Sequence, residues 1–255
     1  MMTKPIILNT RPVSLQQSTK ESFNKFDFES ISLPCIEITT IADSQPVIEQ
    51  LKSLSTIHSD ITNIIIFTSQ YAVKYAFSLN PNFSLANSAI VIAVGTKTSH
   101  ILEQYYSGPI WIPEQQNSEG VIDLLKGFES LDSLKIISAK NGRTLIQNFA
   151  EKNHIECEQI NVYQRQLPAV DDYKIQQLKQ INNLFILATS ETTLINLKVL
   201  AFDSWDHLLQ QTVICASQRI QNKARQLGFI NCKNMNTANP YEMAEKLSDS
   251  NQNLN

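Results

Sequence analysis

Short apolar runs alternate with helix-period segments along almost the whole chain. Two of the runs, NIIIF at Asn63–Phe67 and LFILA at Leu184–Ala188, are apolar at nearly every position. A strand that lacks polar alternation is typical of a parallel sheet that helices cover on both faces. The sequence therefore predicts an α/β protein.

The same pattern predicts seven strands and at least nine helices. The strands are expected at Pro5–Asn9, Ser30–Pro34, Asn63–Phe67, Ala89–Ala93, Leu134–Ser138, Leu184–Ala188 and Thr212–Ala216. The helices are expected at Ser14–Phe26, Pro46–Ser55, Gln70–Ser78, Thr96–Tyr106, Glu119–Lys126, Arg143–Lys152, Asp171–Asn182, Glu191–Ala201 and Gln218–Leu227.

Two stretches repeat a strand-to-helix pattern at nearly constant spacing. Ser69 and Ser190 each close an apolar strand, while Gly95 and Ser217 each close the next one, and the two spacings agree within one residue. A single match of this kind would mean little, but two in register indicate duplication. The sequence predicts two related parallel-sheet domains of the flavodoxin-like or Rossmann-like type.

The N-terminal segment is too short to fold alone, which suggests that one domain is inserted into the other. We expect a discontinuous domain of residues 1–34 and 169–247, with an inserted domain of residues 35–164. Two β-rich segments flank the inserted domain and are expected to pair as a two-stranded hinge, near residues 34–41 and 156–168.

Composition excludes several classes of function. The chain has 255 residues, 42% of them hydrophobic and 18% charged, and a net charge of -3, so no basic footprint for nucleic acid is present. No apolar run is long enough to span a membrane, and no signal pattern opens the chain. These features predict a cytoplasmic protein, with a polar, disordered tail at residues 248–255.

Neither a metal site nor a nucleotide cofactor is indicated. The four cysteines (Cys35, Cys157, Cys215 and Cys232) contain no CxxC pair, and the four histidines are equally dispersed, so reduced thiols and no metal are expected. Only six glycines occur, and they form neither GxGxxG nor a P-loop.

Hydroxyl side chains gather where the predicted strands end. They are Thr68 and Ser69, Thr96 and Thr98, Thr189 and Ser190, and Ser217, while Asn141-Gly142-Arg143 forms a further junction. Such residues cap helices, and the free N–H groups of a helix's first turn also bind anions, so both interpretations stand. If the carboxyl edges of both domains face one cleft, the cleft suits a ligand with many carboxylates.

Seven motifs occur in an order that points to one family. They are LNTRP (Leu8–Pro12), IIIFTS ending in Thr68-Ser69, AVGTKT (Ala93–Thr98), NSEGVIDLL (Asn117–Leu125), NGR (Asn141–Arg143), NVYQRQLP (Asn161–Pro168) and ATS (Ala188–Ser190). Together they resemble the uroporphyrinogen-III synthase family over almost the whole chain. The resemblance implies two α/β domains joined by a two-stranded β hinge. It also implies closure of hydroxymethylbilane, an octacarboxylate, to uroporphyrinogen III with inversion of the last pyrrole ring, loss of water and no cofactor.

The resemblance also implies roles for particular residues. Tyr163 becomes the candidate donor of a proton to the departing hydroxyl, with aromatic packing between hinge and domain as the alternative. Arg11 is expected at the rim of the cleft, where it contacts the substrate or else forms a surface ion pair or a helix-terminus contact. Arg143 is either a carboxylate clamp or a solvent-exposed side chain in the first turn of a helix. Ser118-Glu119 is expected to be an N-cap with a first-turn acid. The substrate-binding set comprises Arg11, Thr68, Ser69, Gly95, Thr96, Thr98, Gly142, Arg143, Thr189, Ser190 and Ser217.

The chain departs from the family pattern at two places. Ser217 and Ile220 stand where many members have Gly and a second Thr, and Ser138-Ala139 stands where many have Arg-Gly. The hydroxyl contact of the second domain then depends on Ser217 as a partial replacement, and a cation that the family pattern places at the cleft is missing. Neither change removes a nucleophile, because the reaction requires none.

Two other functional classes remain possible at this point. One is a non-catalytic, two-lobed protein that closes on an anionic small molecule, and the other is a nucleotide-sugar transferase, which the scarcity of glycine disfavours. For the synthase, we expect a monomer, with hydroxymethylbilane synthase as a candidate protein partner.

Overall fold

A computed structural model describes residues 4–56, 62–86 and 88–252. Its strands are β1 (Ile6–Asn9), β2 (Glu29–Ser32), β3 (Glu37–Thr40), β4 (Asn63–Phe67), β5 (Ile90–Ala93), β6 (Ile110–Trp111), β7 (Ser133–Ala139), β8 (Glu156–Gln166), β9 (Leu184–Ala188), β10 (Thr212–Cys215) and β11 (Asn231–Asn234).

Eleven α-helices lie within the described residues, together with two short 3-10 turns at Val13–Leu15 and Phe202–Ser204. The helices are α1 (Gln16–Asn24), α2 (Gln45–Ser53), α3 (Gln70–Leu79), α4 (Thr96–Leu102), α5 (Ser118–Leu125), α6 (Leu145–Lys152), α7 (Asp172–Leu178), α8 (Glu191–Leu200), α9 (Trp205–Leu209), α10 (Gln218–Gln226) and α11 (Pro240–Gln252). None of these helices is long and apolar enough to cross a membrane.

The chain divides into two compact units. Unit 1 consists of Met1–Glu37 and Gln166–Asn255, and unit 2 is Ile38–Arg165. The sequence places the inserted domain at residues 35–164. Strands β3 and β8, which contain the two crossing points, are neighbours at one end of a six-stranded sheet, so they are part of that sheet rather than a separate ribbon. Their action as a hinge stays a prediction.

Unit 2 has the strand order β3-β8-β7-β4-β5-β6. The neighbouring pairs β8–β7, β7–β4, β4–β5 and β5–β6 are all parallel. All five residues of β4 are buried. Ile64 and Ile66 pack in one core cluster, whereas Ile65 and Phe67 pack in another, because successive side chains of a strand point to opposite faces. The predicted covering of both sheet faces is confirmed.

Unit 1 has the strand order β11-β10-β9-β1-β2, and its pairs are also parallel. Strand β9 repeats the two-sided burial of β4: Leu184 and Ile186 pack in one cluster, Phe185 and Leu187 in the other. When the five strands of unit 1 are numbered 1 to 5 along the chain and read from β2, their order is the flavodoxin-like arrangement 2-1-3-4-5. The predicted α/β class with two related parallel-sheet domains is therefore confirmed.

The two units are circular permutations of one topology. When β9, β10 and β11 are matched with β4, β5 and β6, the strands β1 and β2 match β7 and β8, and both sheets have the same order. The N-terminal β-α-β segment of unit 1 thus occupies the place that the last β-α-β segment occupies in unit 2. This accounts for a duplication that is detectable from Ser69 and Ser190 onwards and not at the N-terminus.

Several predicted bounds are wrong. The helices expected at Thr96–Tyr106, Arg143–Lys152 and Asp171–Asn182 are shorter, and the strand expected at Ser30–Pro34 ends at Ser32. Two strands and two helices were not predicted at all. They are the edge strands β6 and β11, the five-residue helix α9, and α11.

Helix α11 also corrects the view of the C-terminal tail. The helix continues through Gln252, into the stretch for which the sequence predicts disorder. Leu247 is buried, and the Ser250 hydroxyl accepts a hydrogen bond from Lys233 Nζ at 3.2 Å, so this segment is attached to the sheet. Residues 253–255 of the expected tail lie outside the described residues.

Candidate active site

The sheet of unit 2 has a crevice where its strand order reverses. The chain runs outward from β4 through β5 to β6, then returns to the other side of β4 with β7 and β8. Ligands of open α/β sheets bind at such a reversal, outside the carboxyl ends of the strands. A cavity of about 330 Å³ lies there, lined among others by Thr68, Asn117, Gly142, Arg143, Tyr163 and Arg165.

A β-bulge orients Tyr163 toward this crevice. Ser138 pairs with Asn161, but Ala139 pairs with Tyr163, so β8 carries one extra residue, Val162. A bulge reverses the alternation of side chains, and Val162 and Tyr163 consequently pack in the same core cluster although they are adjacent. Tyr163 is completely buried.

Tyr163 lies among aromatic rings and polar groups. Its ring stacks on Tyr75 with centroids 5.7 Å apart and lies 5.9 Å from Tyr71. Its hydroxyl is 2.9 Å from Ser69 Oγ and accepts a hydrogen bond from Arg165 Nη2 at 3.1 Å. The ring of Tyr163 is thus packed among aromatic side chains, while its hydroxyl has two polar neighbours.

Arg165 is a site residue that the sequence analysis missed. It lies two residues after Tyr163 in β8, and residues at this spacing share a face of a strand. Besides the hydrogen bond, its guanidinium carbon is 5.7 Å from the centre of the Tyr163 ring. The motif NVYQRQLP contains the signal, because its tyrosine and arginine are at period two.

A second, more open depression of about 700 Å³ lies over the N-termini of α3 and α4. Ser69 caps α3, since its Oγ accepts a hydrogen bond from Ala72 N at 3.1 Å. Gly95 occupies the N-cap position of α4 and has no side chain to contribute. The lining of this depression includes Thr68, Ser69, Gly95, Thr96, Lys97, Thr98, Gln116 and Arg165.

Gln116 is the second residue that the sequence analysis missed. Its Oε1 accepts from Thr96 N at 3.0 Å, and its Nε2 donates to Thr96 Oγ1 at 2.8 Å. A Cβ at Gly95 would lie 2.7 Å from the same Oε1, so the glycine leaves room for this side chain. Thr98 is buried, and its N–H donates to Gly95 O at 2.9 Å, so that N–H is already used within the helix.

The junction after β7 also differs in detail from the prediction. Asn141 has a positive φ of 58°, and Gly142 N donates to Ala139 O at 3.1 Å, which closes a turn before α6. Arg143 is exposed and lies 3.8 Å from Glu119 Oε2. The predicted N-cap at Ser118 is wrong by one residue: Asn117 caps α5, its Oδ1 accepting from Gly120 N at 2.8 Å.

Unit 1 presents the equivalent hydroxyls. Ser190 caps α8, with Thr193 N donating to its Oγ at 3.1 Å, and the two side-chain oxygens of Ser190 and Thr193 are 2.7 Å apart. Ser217 caps α10 through a longer hydrogen bond of 3.5 Å from Ile220 N. Arg219, which the prediction omitted, pairs with Glu191 at 3.3 Å. Thr189 is half-buried at the end of β9.

Arg11 follows β1, but its side chain turns back over α1. Its Nη1 donates to Thr19 Oγ1 at 3.2 Å, and Gln16 donates to its carbonyl oxygen. The alternative in which Arg11 contacts a nearby helix thus has direct geometric support. Thr10, its neighbour, donates a hydrogen bond to Leu187 O and so ties the ends of β1 and β9 together.

The thiols lie away from the crevice. Burial raises the pKa of Cys35 far above its usual range, and burial together with the neighbouring Cys232 raises the pKa of Cys215 to about 12. Such thiols are poor nucleophiles and poor metal ligands. Among residues 4–56, 62–86 and 88–252, no group of three His, Cys, Asp or Glu side chains could hold a metal ion.

Fold and site together define a class: an α/β protein of two permuted units whose helix N-termini and hydroxyl side chains gather at the carboxyl ends of the strands. The family model described as uroporphyrinogen-III synthase HemD matches residues 17–238. The chain belongs to the uroporphyrinogen-III synthase family, and its activity is the closure of hydroxymethylbilane to uroporphyrinogen III, a lyase reaction of haem biosynthesis.

Solved structures share the fold at low sequence identity. A mutant uroporphyrinogen III synthase from the extreme thermophile Thermus thermophilus is 12% identical, with a TM-score of 0.66 over 98% of this chain and 99% of that one. The enzyme from Helicobacter pylori is 14% identical, with a TM-score of 0.59 over 97% and 99%. No sequence in the comparison with curated proteins matches significantly.

Proposed function

We propose that the carboxyl edges of both units bind the carboxylates of hydroxymethylbilane mainly through backbone N–H groups. Ser69, Ser190 and Ser217 each cap a helix with a side-chain oxygen, so in each case further first-turn N–H groups remain without an intrahelical acceptor. These groups and the helix dipole favour anions. An octacarboxylate needs several such sites, which the repeated topology supplies.

In this proposal the exposed cations assist the amides. Arg143 and Arg219 each face a glutamate near a helix N-terminus, at 3.8 Å and 3.3 Å. Exposed ion pairs of this kind are worth little, so a substrate carboxylate can replace the glutamate at small cost. The rest of the predicted set, including Thr68, Thr96, Gly142 and Thr189, shapes the edge around these donors.

The chemistry is proposed to take place at the hydroxyl cluster of unit 2. The observation that carries this is the chain of contacts from Ser69 Oγ to the Tyr163 hydroxyl and on to Arg165, at 2.9 Å and 3.1 Å. A hydroxyl pair that can supply a proton helps the terminal hydroxyl of the substrate leave as water. Holding the resulting cation in one conformation then directs closure at the substituted carbon.

The test is a coupled reaction with hydroxymethylbilane synthase. The products are oxidised and the type I and type III isomers are separated by chromatography. We expect type III product in proportion to the amount of this protein. Type I product alone at high protein concentration would reject the proposal.

Three further properties belong to the same proposal. We propose that the protein acts in the cytoplasm as a monomer and receives its unstable substrate from hydroxymethylbilane synthase. The reduced state expected for the four cysteines and the family's place in haem biosynthesis support this view. Sedimentation of the two proteins together and apart would reveal an association.

A further inference from the structure

The hydroxyls of Ser69 and Tyr163 differ in what surrounds them. Tyr163 is completely buried, although it borders the smaller cavity, whereas Ser69 is half-buried and lines the open depression. Their oxygens are 2.9 Å apart, and each hydroxyl has only one proton. The two side chains therefore cannot both offer a proton to a ligand while they stay bonded to each other.

Neighbouring groups favour one direction of that hydrogen bond. Arg165 can only donate, so the Tyr163 oxygen accepts at 3.1 Å from Nη2. Among the described residues, Ser69 Oγ is the one acceptor in reach of the Tyr163 proton, and a buried O–H without an acceptor is costly. We therefore take Tyr163 as the donor and Ser69 as the acceptor of this bond.

Ser69 then has both of its lone pairs occupied. One accepts from Ala72 N at 3.1 Å, and the other accepts from Tyr163 at 2.9 Å. Its own proton has to point elsewhere, and the side chain borders the open depression. A cap serine elsewhere in the chain is arranged differently: the Ser190 hydroxyl is engaged with Thr193 of its own helix.

We propose that Ser69, and not Tyr163, is the hydroxyl that meets the substrate, with Tyr163 as the proton reservoir behind it and Arg165 as a positioning residue. This inference rests on the proposed function. The resemblance to the synthase family instead implies the donor role for Tyr163.

The proton balance of the step is simple. The bond between the terminal methylene carbon and its hydroxyl breaks, the electron pair leaves with oxygen, and that oxygen takes the Ser69 proton to depart as water. Ser69 regains a proton from Tyr163, and the phenolate lies beside the Arg165 guanidinium. The substituted carbon of the last ring, which has no hydrogen to lose, bonds to this methylene and forms a spiro centre. The bond from that carbon to its original methylene then breaks, and the unsubstituted carbon of the same ring bonds to the freed methylene. That last step releases one proton from the unsubstituted carbon, and this proton restores the Tyr163 hydroxyl.

Substitutions at Ser69 and Tyr163 test the order of the relay. Glycine retains most of the stability of a capped helix, so Ser69→Gly removes the proton without unfolding α3. We expect kcat for type III product to fall about 100-fold, at the low end of general acid catalysis. Ser69→Thr should restore kcat to within about threefold of the wild type, since a hydroxyl and the cap are both retained.

Tyr163→Phe keeps the ring between Tyr71 and Tyr75 and removes only the second hydroxyl. We expect a smaller fall in kcat, about tenfold, and the double variant Ser69→Gly/Tyr163→Phe should match Ser69→Gly within about threefold, because members of one relay are not additive. Arg165→Gln should resemble Tyr163→Phe, and Arg165→Lys should recover part of kcat.

Ser190→Gly is the matched control. It loses an equivalent cap oxygen in unit 1, and we expect a higher KM with kcat retained. Two results would overturn the relay: a larger loss of kcat in Tyr163→Phe than in Ser69→Gly, or a double variant about 1,000-fold slower than the wild type. In either case, type III product from the wild type would still uphold the proposed function. Type I product alone from the wild type would overturn both.

Discussion

Ser69 in unit 2 and Ser190 in unit 1 show how one local structure serves two purposes. Both follow a fully buried central strand, both have extended backbone, and both accept a hydrogen bond of 3.1 Å from the third N–H of the next helix. The Ser190 hydroxyl contacts its own helix, whereas the Ser69 hydroxyl contacts Tyr163 from another strand.

The difference between the two serines comes from the strand two positions away in each sheet, which is β8 in unit 2 and β2 in unit 1. In unit 2 a bulge in β8 turns Tyr163 toward the cap, and Arg165 follows on the same face. The matching strand of unit 1, β2, pairs with β1 without interruption from Ile6 to Asn9. The duplicated fold thus supplies the proposed anion-binding edge twice, and a single inserted residue adds the hydroxyl cluster to one copy.

Substitutions at equivalent core residues should have the largest effect and should distinguish the stabilities of the two units. Ile66 and Leu187 occupy matching positions in the central strands and are completely buried. We expect Ile66→Ala or Leu187→Ala to lower the free energy of unfolding by about 2–5 kcal/mol. The unit carrying the substitution should unfold first, since each has core clusters of its own.

The chain offers a reporter for each unit. Trp111 lies in unit 2 and Trp205 in unit 1, so variants with Trp→Phe at either position give one fluorescence signal per unit during urea unfolding. Equal shifts of both signals for both substitutions would show that the units unfold as one cooperative body.

Alkaline pH should lower the free energy of unfolding of unit 1 more than that of unit 2. In unit 1, burial raises the pKa of Cys35 and Cys215 above the usual value of 9.0. A group whose pKa is raised by folding contributes stability below its unfolded pKa, and this stability is lost as pH rises above it. Between pH 9 and 10 each thiol should therefore cost unit 1 up to about 1.4 kcal/mol per pH unit.

Unit 2 has one cysteine, Cys157, which is half-buried. Burial raises its pKa, but the adjacent Lys135 offsets part of the rise. The urea midpoint from Trp205 should thus fall more steeply with pH than that from Trp111, and Cys215→Ala should flatten the steeper curve. Parallel curves would mean that folding does not raise the pKa of Cys35 and Cys215 more than that of Cys157.

Gly95 and Ser217 are matching N-caps with opposite tolerance to substitution. Gly95→Ala should displace Gln116, whose hydrogen bonds to Thr96 are 3.0 and 2.8 Å, and should cost about 1 kcal/mol. Ser217→Gly removes only a 3.5 Å cap bond and should cost a few tenths of a kcal/mol, on the order of 0.3. Urea midpoints measure both, and the reverse order would show that Gln116 adjusts freely.

The sequence predicts the centre of each unit better than its edges. Strands Asn63–Phe67 and Leu184–Ala188 have the predicted bounds, because burial on both faces leaves an uninterrupted apolar run. Edge strands lack that requirement, and NCKN at Asn231–Asn234 has no apolar pattern to detect. Helix α11 had a usable signal, since Pro240 opens it and Met243, Ala244 and Leu247 form its buried face.

In the candidate site, too, residues placed by local pattern are predictable and residues placed by distant contacts are not. Ser69, Ser190 and Ser217 follow strands directly, so their place at a carboxyl edge can be predicted from local pattern. The contact between Tyr163 and Ser69 depends on a bulge, and strict alternation from Val162 would place Tyr163 on the opposite face. Gln116 reaches Thr96 across 20 residues from a segment without regular structure, for which no periodic signal exists.

Substitutions of Arg143 and Arg219 should have the smallest effects on stability and on KM. They also test whether the carboxyl edges of the two units bind the substrate equally. Both are more than half exposed and pair with glutamates, so Arg143→Gln and Arg219→Gln should each change the free energy of unfolding by less than about 0.5 kcal/mol. If a substrate carboxylate takes the place of either glutamate, as proposed, each variant should raise KM about threefold at low salt, with a weaker rise at high salt. Steady-state formation of type III product at two ionic strengths measures this. A rise in KM for one variant alone would show that the cation of only one unit contacts the substrate, and an unchanged KM for both would leave carboxylate binding to the amides.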